Sequence, residues 1–276
     1  SRLPLAQLIL TAPQNAVDGT LNIIRQAAAS GVQKIIVTSS VITLQNLDDK
    51  SDFQSNKVLT EKDWNPVTKE ELLSGKHDSN AFWVYGAVKA IAERELWKFS
   101  DAHPEIDITT INPTFVYGPV ATGVKIPKGN ASALSTAGLF YQNILPPNAT
   151  SVTIERVQQD FIPISIDVRD VARAHILALQ APPTVEVGRK RLPITGPSLT
   201  WIDSVIHLHK AMPELADRLP KVAEGAEFSE PLPYPRVDTT RAKVVLGLDQ
   251  YIDWEKTAED TARSLLEIEK DWEAAA

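Results

Sequence analysis

The sequence predicts an α/β fold with a mostly parallel sheet and helices on both faces, and three observations predict it. Short apolar runs such as Ile35-Ile36-Val37 are continuous rather than alternating, as in strands buried on both faces. Between them lie stretches whose apolar residues recur at helical spacing. The two kinds alternate along the chain, which is the order that yields parallel strands joined by crossover helices.

Taken in order, residues 13–31 carry Val17, Leu21, Ile24 and Ala27 or Ala28 at helical spacing and stop at Ser30-Gly31. The buried strand KIIVT follows and ends in TSS. Residues 45–80 are polar, of mixed charge and without sustained periodicity, which predicts a long functional or flexible loop. AIAERELWKF is a helix ending near His103-Pro104. A second buried strand is predicted over residues 106–111, broken by Pro113 and closed by Gly118-Pro119. FIPISIDVRDVARAHILALQ reads as a short strand and a helix capped by Asp167, with Val171, Ala174, Leu177 and Ala178 on one face. KRLPITG is a further strand, SLTWIDSVIHLHKAM a helix with a Ser/Thr cap, and residues 253–276 an amphipathic helix with an acidic solvated face.

The composition narrows the function. The chain has 276 residues, a formal net charge of -7 and no basic cluster longer than GRKR, so a nucleic-acid partner is not expected. It has no cysteine, hence no disulfide, thiolate chemistry or cysteine metal site. His207 and His209, two apart, are expected to be ordinary helix residues. No apolar run is long enough to cross a bilayer and no signal peptide opens the chain, so a soluble cytoplasmic protein without membrane contact is expected. The two N-x-S/T sequons, at Asn130 and Asn148, then read as chance matches. The chain begins at Ser1 and its only methionine is Met212, so a processed, trimmed or partial chain is expected.

YGAVK is the stretch with chemistry in it. Tyr85 and Lys89 stand one turn apart on one helix face. Taken alone, this is also what an ordinary amphipathic helix presents. The order of parts raises it: a buried strand ending in Thr38, Ser39 and Ser40, then Tyr-x-x-x-Lys, then a strand ending in NPTFVYGP. In a parallel sheet successive strand ends meet at one carboxyl edge, where ligands bind. A tyrosine ordinarily ionises near ~10, and an ammonium one turn away favours its phenolate. A serine hydroxyl from the strand end could hold a carbonyl or alcohol oxygen beside the phenol. Ser39 and Ser40 could equally be satisfying the strand's own backbone. In DVRDVARAH, Asp167 reads as a cap and Arg169 and Asp170 as structural partners.

KIIVTSS, YGAVKAIAERELW, INPTFVYGP and DVRDVARAHILAL together resemble the extended short-chain dehydrogenase/reductase family, in its dihydroflavonol-reductase, cinnamoyl-CoA-reductase and aldehyde-reductase branch. TEKDW and LPITGPSLTW extend the resemblance over nearly the whole chain. It implies a Rossmann-like doubly wound sheet with a smaller substrate lobe, drawn mainly from residues 120–155 and 185–276. It implies a catalytic triad of Ser40, Tyr85 and Lys89, with Tyr85 the general acid in reduction and Lys89 its electrostatic partner and ribose ligand. Ser40 is chosen over Ser39 by the alignment of TSS. Thr38, Ser39, Tyr85 and Lys89, with the turn Pro113, Thr114, Phe115 and Val116, would contact an NADP cofactor, NAD being possible. The chain departs from the family at Val88, where a serine is usual, and at its start. No G-x-x-G-x-x-G turn is present, and SRLPL resembles the segment after the family's fourth strand. The sheet is therefore expected to be incomplete, with an open apolar edge.

The functions left are reduction of a small carbonyl or oxidation of a secondary alcohol, epimerase or dehydratase chemistry on a nucleotide sugar, and a chain without catalysis. Residues 121–155 offer Lys125 and Lys128 but no arginine for a pyrophosphate, which argues against the second. Residues 45–80 and 121–147, with Phe140 and Tyr141, are expected to shape a pocket for a hydrophobic or aromatic carbonyl in a monomer or homodimer.

Overall fold

The computed structural model describes residues 5–49, 56–128, 130–146, 164–222 and 234–274. The second sequon, residues 1–4, and residues 147–155 of the expected substrate lobe lie outside them. In chain order the elements are α1 (Leu5–Ala29), β1 (Lys34–Thr38), β2 (Val58–Leu59), α2 (Lys69–Leu73), α3 (Ala81–Ala102), β3 (Asp107–Pro113), β4 (Phe115–Tyr117) and α4 (Thr136–Ile144). They continue with β5 (Ser165–Asp167), α5 (Val168–Gln180), α6 (Thr184–Val187), β6 (Lys190–Ile194), α7 (Trp201–Ala211), β7 (Arg236–Val237), α8 (Thr240–Leu246) and α9 (Trp254–Ala274). They form two compact units. The first is Ser1–Thr114, Ala174–Ile194 and Pro235–Asp249, the second Phe115–Arg173, Thr195–Tyr234 and Gln250–Ala276.

In the first unit β1, β3 and β6 form a parallel sheet in that order, with Thr38 opposite Ile111 and Ile111 opposite Leu192. The α/β expectation is borne out. Helix α1 packs on α3, Val17 and Leu21 meeting Ala87, Ala90 and Ile91. The helix reaches back to Leu5, so Pro13 does not mark its start. Asn80 caps α3 by accepting from Trp83 N at 3.0 Å, and the helix stops at Ala102, just ahead of the residue that precedes Pro104.

Two strand expectations are corrected. Ile35, Ile36 and Val37 are only half-buried, because among the described residues β1 pairs with β3 alone and lies at the sheet edge. Pro113 does not break its strand. It pairs with Ile194, and β4 starts two residues later. The polar stretch 45–80 is also less irregular than its composition implies. It contains β2, paired in parallel with β7, and α2, which starts on a Thr68/Glu71 capping box.

The second unit is built on rings. Tyr117, Phe140 and Trp201 meet edge to face or tilted, with centroids 5.6–6.3 Å apart, inside a core completed by α4, α7 and α9. Strands β4 and β5 pair in parallel. Gly118 ends β4 at φ +119, where a Cβ would meet Val168 Cγ1 at 3.0 Å, so glycine is required twice over. Asp167 caps α5 as expected, accepting from Arg169 N at 2.8 Å. Arg169 in turn bridges Asp167 and Asp260 at 2.7 Å each.

Candidate active site

Helix α3 carries Tyr85, Lys89, Glu93 and Trp97 at four-residue intervals, and that stripe runs from solvent into the core. Tyr85 is 50% exposed, Lys89 half-buried, and Glu93 and Trp97 are buried. The Lys89 ammonium donates to the Thr38 carbonyl at 3.0 Å, which fastens α3 to the carboxyl end of β1. Burial holds the Lys89 ammonium below its usual pKa, and the Glu93 carboxylate one turn further on offsets part of that shift.

Ser39 and Ser40 differ although they are neighbours. Ser39 donates its hydroxyl to Glu93 Oε2 and its backbone N–H to Ile111 O, so both groups are bound inside the unit. Ser40 caps the 3₁₀ turn Val41–Leu44, its Oγ accepting from Ile42 N at 3.3 Å. A hydroxyl that accepts in this way still has its own proton to donate. Gly86 lets this turn lie close to the Tyr85 end of α3. A Cβ there would stand 2.9 Å from Ile42 Cγ1 and 2.4 Å from Leu47 Cδ1.

Behind these residues lies a polar centre that the motifs did not reveal. Glu93 Oε2 accepts from Thr43 Oγ1 and Asn112 Nδ2, both at 2.8 Å, as well as from Ser39. Glu93 Oε1 accepts from Arg191 Nε at 2.6 Å and Trp97 Nε1 at 3.2 Å. The Arg191 guanidinium lies 3.6 Å from the Trp64 ring centroid and donates to the carbonyls of Glu61, Asp63 and Thr43. Side chains of Glu93 and Arg191 are only 1% and 2% exposed. Half of the basic run GRKR is therefore interior, since Lys190 is buried too and pairs with Asp107. Successive residues of β6 point to opposite faces, so each buried cation meets its own carboxylate. The stripe spacing from Lys89 to Glu93 was the available signal for Glu93; nothing local marked Arg191.

The other expected site residues divide between the units. Thr38 is exposed, its hydroxyl 2.8 Å from His175 Nε2. Pro113 and Thr114 are buried at the end of β3 in the first unit, while Phe115 and Val116 open β4 in the second. Thr38, Ser39 and Lys89 line one cavity of the first unit, and that unit also holds Ser40 and Tyr85. The cavity has a volume of about 100 Å³ and is lined also by Thr20, Val37, Val88 and Leu96. Val88 packs there and against the α1–α3 core. His207 and His209 are ordinary helix residues, 3.0 Å from Glu259 Oε1 and from Pro220 O. Among the described residues no group of acidic or histidine side chains could hold a metal, and no helix is long and apolar enough to cross a membrane.

The chain as a whole is similar to known proteins. The model of the NAD dependent epimerase/dehydratase family matches residues 10–190. A putative uncharacterized oxidoreductase of Schizosaccharomyces pombe is 31% identical over 254 residues, covering 91% of this chain and 68% of that protein. The NADPH-dependent methylglyoxal reductase GRE2 of Saccharomyces cerevisiae is 27% identical over 259 residues, covering 92% and 70%. The crystal structure of yeast methylglyoxal/isovaleraldehyde reductase Gre2 complexed with NADPH superposes with a TM-score of 0.70 at 23% identity. It covers 92% of this chain and 70% of that one.

Proposed function

Because this chain belongs to the NAD dependent epimerase/dehydratase family, we propose that it is an NADPH-dependent reductase converting a small carbonyl compound to its alcohol, NADH being the alternative donor. The observation that carries this reading is the Lys89 ammonium, bonded to the Thr38 carbonyl one turn from Tyr85 and beside the strand end that bears Ser40. The likeness to an NADPH-dependent methylglyoxal reductase supports both the cofactor and a small aldehyde as substrate.

The residues at the nicotinamide-ribose end fit such a cofactor. An ammonium has three donors, and with one on Thr38 O the others can serve ribose hydroxyls beside the cavity. The sequence has no glycine-rich turn for a pyrophosphate. When bound, the reduced nicotinamide supplies a hydride to the carbonyl carbon. Ser40 donates a hydrogen bond from its hydroxyl to the carbonyl oxygen and orients it, keeping its own proton; with Ser39 bound to Glu93, Ser40 is the better candidate for this role. Tyr85 gives its phenolic proton to the same oxygen as charge develops there. Lys89 favours the phenolate that remains. Half-exposed, Tyr85 can regain its proton from water.

The test is Tyr85→Phe beside the unsubstituted chain, following NADPH fluorescence and methylglyoxal reduction. Saturable binding is expected in both, with turnover down about 10³-fold in the variant, within the range for a lost general acid. An unsubstituted chain that neither binds NADPH nor turns over, or a variant at full turnover, would overturn the proposal.

A further inference from the structure

The geometry points to Glu93 as a positioning residue, a buried carboxylate that fixes the turn carrying Ser40 and presents that turn to Tyr85 and Lys89. Its catalytic consequence rests on the reductase reading above; its structural consequence does not.

Five donors from four separate stretches of chain converge on this carboxylate: Ser39, Thr43, Asn112, Arg191 and, from α3 itself, Trp97. Two of them reach onward to Ser40. The Ser40 carbonyl accepts from Thr43 N at 3.1 Å and Asn112 Nδ2 at 3.3 Å, and it shares the single Thr43 hydroxyl proton, at 2.9 Å, with Glu93 Oε2. Ser39 is bound on the near side of Ser40 and Thr43 on the far side, both to the same carboxylate. The Ser40 backbone is thereby held from both sides by groups that Glu93 orients. The hydroxyl of Ser40 can then take few directions, which is what holding a substrate oxygen within a fraction of an ångström requires.

Stability alone does not call for this arrangement. Taking a carboxylate and a guanidinium out of water is expensive, and an apolar pair of similar volume often serves as well or better. Directional bonds are what the ion pair adds. Since α3 carries Tyr85, Lys89 and Glu93 on one stripe, the contact that fixes the Ser40 turn also fixes its register against the phenol and the ammonium. Glu93 is buried with its carboxylate filled by protein donors, so it acts through Ser40 and Lys89.

Glu93→Gln is the direct test, because it keeps volume while removing the charge and half of the acceptor capacity. Backbone amide exchange over residues 39–44 is expected to quicken about 10-fold or more, with α9 in the other unit unchanged. Turnover is expected to fall about 10- to 100-fold with the KM for NADPH within about threefold, since the loss falls on orientation of the reacting oxygen. Thr43→Val covers the case in which Glu93→Gln does not fold. It keeps the shape of Thr43 and removes the hydroxyl that joins Glu93 to the Ser40 carbonyl, together with the acceptor that this hydroxyl offers Arg191 and Asn112, for an expected 3- to 10-fold loss of turnover. Unchanged exchange over residues 39–44 in a folded variant would overturn the positioning role. So would full turnover in Thr43→Val. If the unsubstituted chain shows no turnover, the reductase reading fails, and the exchange measurement still decides the role of Glu93.

Discussion

The two units solve the problem of a well-defined interior in opposite ways. The first places an ion pair, Glu93 with Arg191, in its interior and surrounds it with hydroxyls and an amide. The second fills its centre with Tyr117, Phe140 and Trp201 and keeps its Arg169 and Arg218 ion pairs in part solvent-exposed. Ring packing has preferred angles but no obligatory partner, and it tolerates repacking if volume is conserved. A buried carboxylate with five donors tolerates almost none, because any donor that moves leaves a polar group unpaired. In the first unit the directional centre lies next to the Ser40 turn and on the same helix as Tyr85 and Lys89, the residues proposed to act together.

Volume-conserving substitutions are the sharpest way to break that comparison. Arg191→Met keeps most of the side-chain volume but strands Glu93, and is expected to cost about 3–5 kcal/mol. Phe140→Met, equally buried, is expected to cost about 1.5 kcal/mol or less. Denaturant titrations of the two variants give both numbers. Equal losses would mean that the units differ in composition but not in what they demand.

Gly86→Ala probes how closely the Ser40 turn is seated. On an ordinary exposed helix this change gains about 1 kcal/mol. Here the new methyl would meet Ile42 and Leu47, and a loss of about 1–3 kcal/mol is expected, together with reduced turnover. Leu47 Cδ1 is the end of a flexible side chain and can yield; Ile42 Cγ1, inside the turn that Ser40 caps, yields less easily. A stabilised variant would refute the close approach.

How much of this was legible in the sequence follows from the range of each interaction. Strands β1, β3 and β6 and helices α1, α3, α5, α7 and α9 announce themselves because apolar spacing is a local property. Tyr85 and Lys89 stood out because their spacing on one helix is local too, and because of the order of the segments around them. The difference between Ser39 and Ser40 was not readable, since it is made by Glu93, some fifty positions away in the chain. Arg191 stood out only as one residue of the short basic run GRKR, and pairing of β6 with β3 carries it inside. The half-burial of β1 was misread because the apolar run is the same whether a strand lies at the centre or the edge of a sheet. Strands of two residues, β2 and β7, carry no periodicity at all.

Acid sharpens the contrast with the smallest effect. In the second unit burial alone would raise the Asp167 carboxyl, but hydrogen bonds from Arg169 and Thr257 outweigh it and bring it below its ordinary 3.8. Glu269, likewise opposed by burial, is brought below 4.5 by Arg218 and Tyr141. A carboxylate depressed in the folded state contributes stability that is complete above its unfolded pKa and is lost as pH falls through the folded one. The second unit is therefore expected to weaken progressively as pH drops below about 4.5. Asp170, raised by burial, runs the other way and removes part of the slope. Arg169→Gln takes away the chief partner of Asp167, so its denaturation midpoint should change less between pH 5 and pH 3 than that of the unsubstituted chain. Identical pH slopes would mean that Asp167 owes its low pKa to the α5 N-terminus and Thr257 rather than to the guanidinium, and that this unit, like the first, relies on buried direction more than on its surface charges.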